Sequence, residues 1–226
     1  MHLEIHALHG FLGRPQDWDQ ILPDFQAIDL FNDICPFWEW AEKFNASVKT
    51  PGILLGYSLG GRLAMHALLN RPELWTGAIL VSCHPGLQSP EEKKLRLQHE
   101  YRWAERFQSD PWDLLLQDWN QQSVFIGDQP KKREEQDFSR IALSKALQEW
   151  SLGQQEDLRE RLGQLDLPIF WIAGEQDEKY ATLTKEAHLK HPISKKWIAP
   201  NASHRVPWQQ PNQFKFQILD FLRSLR

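Results

Sequence analysis

Ser58 stands between glycines in Gly56-Tyr57-Ser58-Leu59-Gly60-Gly61, after the apolar run Ile53-Leu54-Leu55 and before the helical run Leu63-Ala64-Met65-His66-Ala67-Leu68-Leu69. A G-x-S-x-G segment between a strand and a helix is a turn too tight for side chains beside the serine. It lifts the hydroxyl above the sheet, over the helix N-terminus. A serine alone is a poor base or nucleophile and needs a histidine, which in turn needs an orienting acid. The apolar run Pro168–Ala173 leads into Gly174-Glu175-Gln176-Asp177, and Lys195–Ala199 leads into Pro200-Asn201-Ala202-Ser203-His204. Both residues follow strand ends, in the chain order serine, acid, histidine that accompanies this turn. Ser58, Asp177 and His204 are therefore the candidate triad. The bland alternative has Asp177 capping the next helix and His204 solvated in a loop.

Other residues compete for these roles. Glu175 sits closer to the strand end than Asp177, and His188 and His191 read as solvated surface near a helix end. His66 reads as packed or capped. His9 opens His9-Gly10-Phe11-Leu12-Gly13 directly after the first strand, a turn that can frame an oxyanion hole from the backbone N–H groups of Phe11 and Leu59. Arg62 lies four residues after Ser58, on the same helix face. It could pair with a substrate carboxylate over the serine or form a structural ion pair; the residues alone leave both open.

These groups need a scaffold. The strand candidates are Leu3–Leu8, Gln26–Leu30, Gly52–Gly56, Gly77–Cys83, Pro168–Ala173 and Lys195–Ala199, and the clearest helices are Leu59–Asn70, Tyr180–Lys190 and Asn212–Leu225. Such alternation predicts an α/β fold, a mostly parallel sheet flanked by helices. From Pro85 to Leu152 no strand candidate appears. Ser89-Pro90-Glu91-Glu92 and Asp110-Pro111 each start a helix there, and a helical pattern at Arg140–Trp150 ends before Gly153. The expected organisation is a core of 1–85 and 152–226 with a helical cap, 86–151, roofing the C-terminal strand ends where ligands bind in open parallel sheets.

With 226 residues, 41% apolar and 25% charged, the chain suits one globular domain. A net charge of −4 and no long basic run argue against nucleic acid. No apolar stretch approaches the roughly 18 residues of a membrane span, and Met1-His2-Leu3-Glu4-Ile5 lacks signal-peptide features, so the expected location is cytoplasmic. Cys35 and Cys83 form no metal-like cluster and read as buried free thiols. No metal or cofactor is expected. Several of the eleven tryptophans fall between residues 100 and 150, where they read as packing for a small subdomain.

The motifs Leu8-His9-Gly10-Phe11-Leu12-Gly13, Gly56-Tyr57-Ser58-Leu59-Gly60-Gly61-Arg62 and Ala173-Gly174-Glu175-Gln176-Asp177-Glu178-Lys179-Tyr180 resemble those of the 2-succinyl-6-hydroxy-2,4-cyclohexadiene-1-carboxylate synthases, which have the α/β-hydrolase fold. Trp103–Phe107, Asp118-Trp119-Asn120-Gln121-Gln122-Ser123-Val124-Phe125, Trp150–Gln155 and Ala202–His204 extend the resemblance over nearly the whole chain. The most specific segment is D-W-x-Q-Q-x-V-F. The resemblance implies a lyase of menaquinone biosynthesis that eliminates pyruvate from 2-succinyl-5-enolpyruvyl-6-hydroxy-3-cyclohexene-1-carboxylate, with the serine as a base. It also implies substrate binding by Tyr57, Arg62, Arg96, Trp119 and Arg140. Arg140 is reached by counting forward from Val124-Phe125; the segment after it is shortened here, and Arg133 is its alternative. Where the family has D-L-P-G-H-G, this chain has Asp29-Leu30-Phe31-Asn32-Asp33-Ile34, which leaves the rim at 31–40 without a family counterpart.

The expected partner is a small-molecule carboxylate, and the expected assembly is a monomer or small homo-oligomer. Two further readings remain open. One is a serine esterase or thioesterase with Ser58 as a covalent nucleophile, and the other is a non-catalytic binding protein that kept the fold.

Overall fold

The computed structural model describes residues 4–19, 21, 25–125 and 127–225. Leu3, at the start of the first expected strand, lies outside them. Six strands form one parallel sheet among the described residues: β1 (Glu4–Leu8), β2 (Phe25–Ile28), β3 (Gly52–Tyr57), β4 (Trp75–Val81), β5 (Ile169–Gly174) and β6 (Lys195–Ala199). Their spatial order is β2-β1-β3-β4-β5-β6. β3 and β5 are buried along their whole length, so they read as continuous apolar runs rather than alternating ones. The order reverses between β1 and β3, where Leu8 pairs with Gly56, so the turns after these strands emerge side by side at the sheet's C-terminal edge.

The helices are α1 (Phe37–Ser47), α2 (Leu59–Asn70), α3 (Pro90–Ser109), α4 (Trp112–Asn120), α5 (Arg140–Glu149), α6 (Arg159–Gln164), α7 (Glu178–Glu186), α8 (Val206–Gln209) and α9 (Pro211–Ser224). Successive strand residues point to opposite faces. Leu54 and Leu80 accordingly join the apolar cluster with α1, α2 and α6, whereas Ile53, Leu55, Ile79 and Val81 join the one with α9. In α9 the apolar stripe Phe214, Ile218 and Phe221 is fully buried.

Between β4 and β5 the described residues form helices and loops but no strand, and a third apolar cluster holds α3, α4 and α5 together through Trp103, Phe107, Trp112, Leu115, Leu143 and Leu147. The Ser89 hydroxyl accepts from the Glu92 N–H, which sets the start of α3. Helix α4 begins one residue later than expected, with Pro111 outside the first turn. Strand β2 stops at Ile28 because the Asp29 carboxylate accepts from the Phe31 N–H and turns the chain. Helix α1, in the segment where the family motif is lost, was not foreseen; it buries Phe37, Trp40, Ala41 and Phe44.

Candidate active site

Ser58 has φ 53° and ψ −110°, a strained backbone for a residue with a side chain. The turn holds it there through its N–H, which donates to Val81 O at 2.9 Å. The neighbouring glycines are obligatory. A Cβ at Gly56 would lie 2.5 Å from Gly60 O, and one at Gly60 would lie 2.5 Å from both Leu8 O and His9 O. The close approach of chain segments, not only the turn itself, demands the glycines.

Asp177 and His204 arrive from the ends of β5 and β6. Gly174 lets the two loops touch, since a Cβ there would lie 2.0 Å from Ser203 O. Backbone bonds from Glu175 N to Ala199 O and from Gln176 N to Ala202 O join them. His204 Nδ1 lies 2.6 Å from Asp177 Oδ2, and His204 Nε2 lies 2.9 Å from Ser58 Oγ. Both Asp177 and His204 are buried. A carboxylate only accepts, so Nδ1 carries the proton and Nε2 is free to accept from the serine. Asp177 does occupy the N-cap position of α7, but its side chain makes no cap bond and is committed to His204. Glu175 is exposed and instead accepts from Asn201 N.

The turn after β1 is locked by His9, which is fully buried. Its Nε2 lies 3.2 Å from the Leu30 N–H and accepts from it, so Nδ1 donates to Gly10 O at 2.8 Å. Gly13 N also donates to Gly10 O. The Gly10–Phe11 peptide is trans, so fixing its carbonyl fixes the Phe11 N–H in the opposite direction. Leu59 is the first residue of α2, where backbone N–H groups have no intrahelical partner. Phe11, Leu59, Ser58 and His204 line one cavity.

Two chambers meet at Ser58, with Phe11, Trp119 and Phe125 bordering both. The first, about 90 Å³, is lined by Arg62, His84, Arg96, Glu100, Trp150 and Tyr180, among others. Arg62 donates to Trp150 O at 2.7 Å, and Arg96 pairs with the buried Glu100 carboxylate at 2.7 Å. Burial disfavours the Arg62 charge, with the nearby Glu100 carboxylate opposing that effect. His84 accepts from Gly86 N through Nδ1, and burial with nearby Lys179, Arg159 and Arg62 pushes its pKa down to about 3, so its ring is neutral. The second chamber, about 80 Å³, is lined by Tyr57, Trp208, Asp17, Asn120, Lys131, Arg133 and Arg205, among others. A larger cavity of about 410 Å³ beside His188 and Trp171 lies away from Ser58.

The structure thus brings Ser58, Asp177, His204, Phe11, Leu59, Tyr57, Arg62, Arg96 and Trp119 to one place. Arg140 is the exception. Its guanidinium donates to Phe107 O at 3.0 Å and Asp110 O at 2.8 Å at the end of α3, pairs with Glu135 at 2.6 Å, and lines neither chamber. Counting along the chain could not foresee this, because those helix-end carbonyls claim its donors. Arg133, the alternative, does line the second chamber, with both terminal nitrogens on Asp17 at 2.9 and 2.6 Å. Glu100, His84, Lys131 and Arg205 were not foreseen. Only the position of Arg205, next to His204, gave a signal. His66 is packed as expected: it stacks on Phe37, and its Nδ1 bonds to Arg62 O. Cys35 and Cys83 are buried and unpaired.

The model of an alpha/beta hydrolase family matches residues 6–215. A 2-succinyl-6-hydroxy-2,4-cyclohexadiene-1-carboxylate synthase of Pectobacterium atrosepticum is 34% identical over 88% of this chain and 87% of its own. A protein of the same name from Serratia proteamaculans is 34% identical over 95% and 91%. Among solved structures, MenH from S. aureus superposes with a TM-score of 0.86 at 22% identity, covering 99% of this chain and 94% of its own. A thermophilic esterase from Thermogutta terrifontis reaches 0.73 at 18% identity, over 100% and 91%. No described helix is long and apolar enough to cross a membrane.

Proposed function

The chain belongs to the alpha/beta hydrolase family and, within it, to the 2-succinyl-6-hydroxy-2,4-cyclohexadiene-1-carboxylate synthases, and we propose that it eliminates pyruvate from 2-succinyl-5-enolpyruvyl-6-hydroxy-3-cyclohexene-1-carboxylate in menaquinone biosynthesis. Residues 86–151 act as the cap over the site. The observation that carries this reading is that Ser58, bonded to His204, opens on a chamber lined by Arg62 and Arg96. A general esterase has no need of two guanidinium groups there, whereas a tricarboxylate substrate does.

In this mechanism His204 Nε2 takes the Ser58 proton while Ser58 Oγ removes the proton at ring carbon C2, next to the succinyl ketone. The C2–H electron pair is first taken up by the succinyl ketone as an enolate, and its return forms C2=C3 while the C3=C4 pair moves to C4=C5. The C5–O bond breaks and releases the enolate of pyruvate, which takes up the proton held on His204, so that the serine, reprotonated from C2, and the imidazole return to their starting state. Charge developing on the ketone oxygen is met by the N–H groups of Phe11 and Leu59. Asp177 holds the imidazole tautomer and stabilises its charged form. Arg62 and Arg96 hold a substrate carboxylate, and Tyr57 and Trp119 shape the walls.

Pyruvate release from that substrate by wild type and Ser58→Ala tests the reading. Fast release that is lost in the variant supports it. No release by wild type, with turnover of simple esters and inactivation by a fluorophosphonate, would replace it with the serine esterase.

A further inference from the structure

The second chamber has no role in the steps above, yet its composition is unusual. Lys131, Arg133 and Arg205 line it with a single carboxylate, Asp17. Asp17 is committed to Arg133 through two bonds and lies 3.4 Å from Lys131. Lys131 Nζ sits 3.8 Å from the centre of the Trp208 ring. Arg205 lies over the Phe125 ring at 4.3 Å, and donates to Asn120 Oδ1 at 2.7 Å. Its Nε is 3.8 Å from the Asp128 carboxylate, which is not among the lining residues. The lining therefore holds two more positive than negative groups. Asp128, behind the lining, offsets Arg205 in part, and Lys131 shares Asp17 with Arg133, so these three cations face two carboxylates and one positive charge is left for a bound anion.

We propose that Lys131 and Arg205 form a second carboxylate subsite, on the side of Ser58 away from Arg62 and Arg96, that holds the opposite arm of the substrate. The inference rests on the elimination proposed above. In that substrate the succinyl arm leaves the ring at C2 and the enolpyruvyl arm at C5, directly across the ring. Each arm ends in a carboxylate, so a molecule reacting at Ser58 extends anions in two opposed directions. The site presents cations in two chambers that share only the wall around Ser58. Burial, opposed by Asp17, pushes the Lys131 ammonium down to about 8, so an entering carboxylate would meet a poorly solvated cation. Arg133, held by Asp17, lines the same chamber.

The test uses wild type, Lys131→Met, Arg205→Gln and the charge-keeping Lys131→Arg. Steady-state pyruvate release gives KM and kcat. Calorimetric titration with pyruvate and with succinate, each carrying the carboxylate of one arm, reads the chamber without turnover. In Lys131→Met and Arg205→Gln, KM is expected to rise at least tenfold with kcat within threefold of wild type. Lys131→Arg is expected to recover most of the loss. The fragment whose affinity falls in the variants identifies the arm held there. Arg205 also ties down the segment around Asn120, so Lys131→Met decides the matter if Arg205→Gln melts early. An unchanged KM in folded Lys131→Met overturns the subsite and leaves the elimination standing. If wild type releases no pyruvate, the substrate assignment fails on its own account, and fragment binding decides the chamber. Affinity lost in Lys131→Met would then keep an anion site, and unchanged or undetectable binding would remove it.

Discussion

Arg62 Nη1 donates to the backbone carbonyl of Trp150 at 2.7 Å, joining the helix that starts beside Ser58 to the turn that ends α5. Glu100, which pairs with Arg96, also accepts from Leu152 N at 3.0 Å and from the Ser151 hydroxyl. The two arginines are thus oriented by one short segment, Trp150–Leu152, and each keeps donors available for a ligand. The sequence left Arg62 between a substrate contact and a structural ion pair. The structure gives it a carbonyl, a partner that orients the guanidinium without neutralising it.

Removing that guanidinium should be costly for catalysis. Arg62→Met should lower kcat/KM for pyruvate release by roughly 30- to 1000-fold, from about 2–4 kcal/mol for an unpaired carboxylate in a dry site. Activity within threefold of wild type would remove Arg62 from the substrate site.

Asp177→Asn tests the orienting acid. The amide can donate to Nδ1 and so favours the wrong imidazole tautomer, and kcat should fall roughly 10³- to 10⁴-fold while the melting temperature changes little. A large loss of stability with little loss of kcat would return Asp177 to a structural role.

Gly60→Ala tests the turn. The new Cβ would meet two backbone oxygens at 2.5 Å, and backbone cannot swing aside as a side chain can. A destabilisation of roughly 3 kcal/mol is expected, lowering Tm by about 6–12 °C. A wild-type Tm would show that the β1 and β3 turns are not in such close contact.

Stability should fall as the solution is acidified below neutrality. Burial pushes His66 down to about 4 and His84 to about 3, from ordinary values of 6.5. Above about pH 6.5 both rings are neutral in either state. Between there and the folded values the unfolded chain binds the protons more readily, so unfolding is favoured as pH falls. Each ring should cost roughly 2 kcal/mol by pH 5. Denaturant titrations at pH 7 and pH 5 check this: His66→Gln should lose less stability over that interval than wild type, and an equal loss would contradict it.

What the sequence determined by itself was local. The turn at Gly56–Gly61 is legible because strand, turn and helix are contiguous and only glycine tolerates its contacts. The buried strands are legible as short apolar runs, and Asp177 and His204 because each follows a strand end. The chain could not say which charged residues face inward. Arg140 and Arg133 lie seven positions apart in one polar stretch; one ends up on the carbonyls closing α3, and the other beside Asp17 near Ser58. Helix α1 went unread because much of what its aromatic face packs against comes from elsewhere in the chain, such as His66 against Phe37 and Trp150 against Trp40. Lys131 and Arg205 are ordinary cations in the sequence, and only the folding of distant segments around Trp208 and Phe125 gives them a shared chamber. A turn is decided by neighbours along the chain, so sequence suffices. The direction of a long charged side chain is decided by which distant donors and acceptors the fold brings near, and only the tertiary structure decides that.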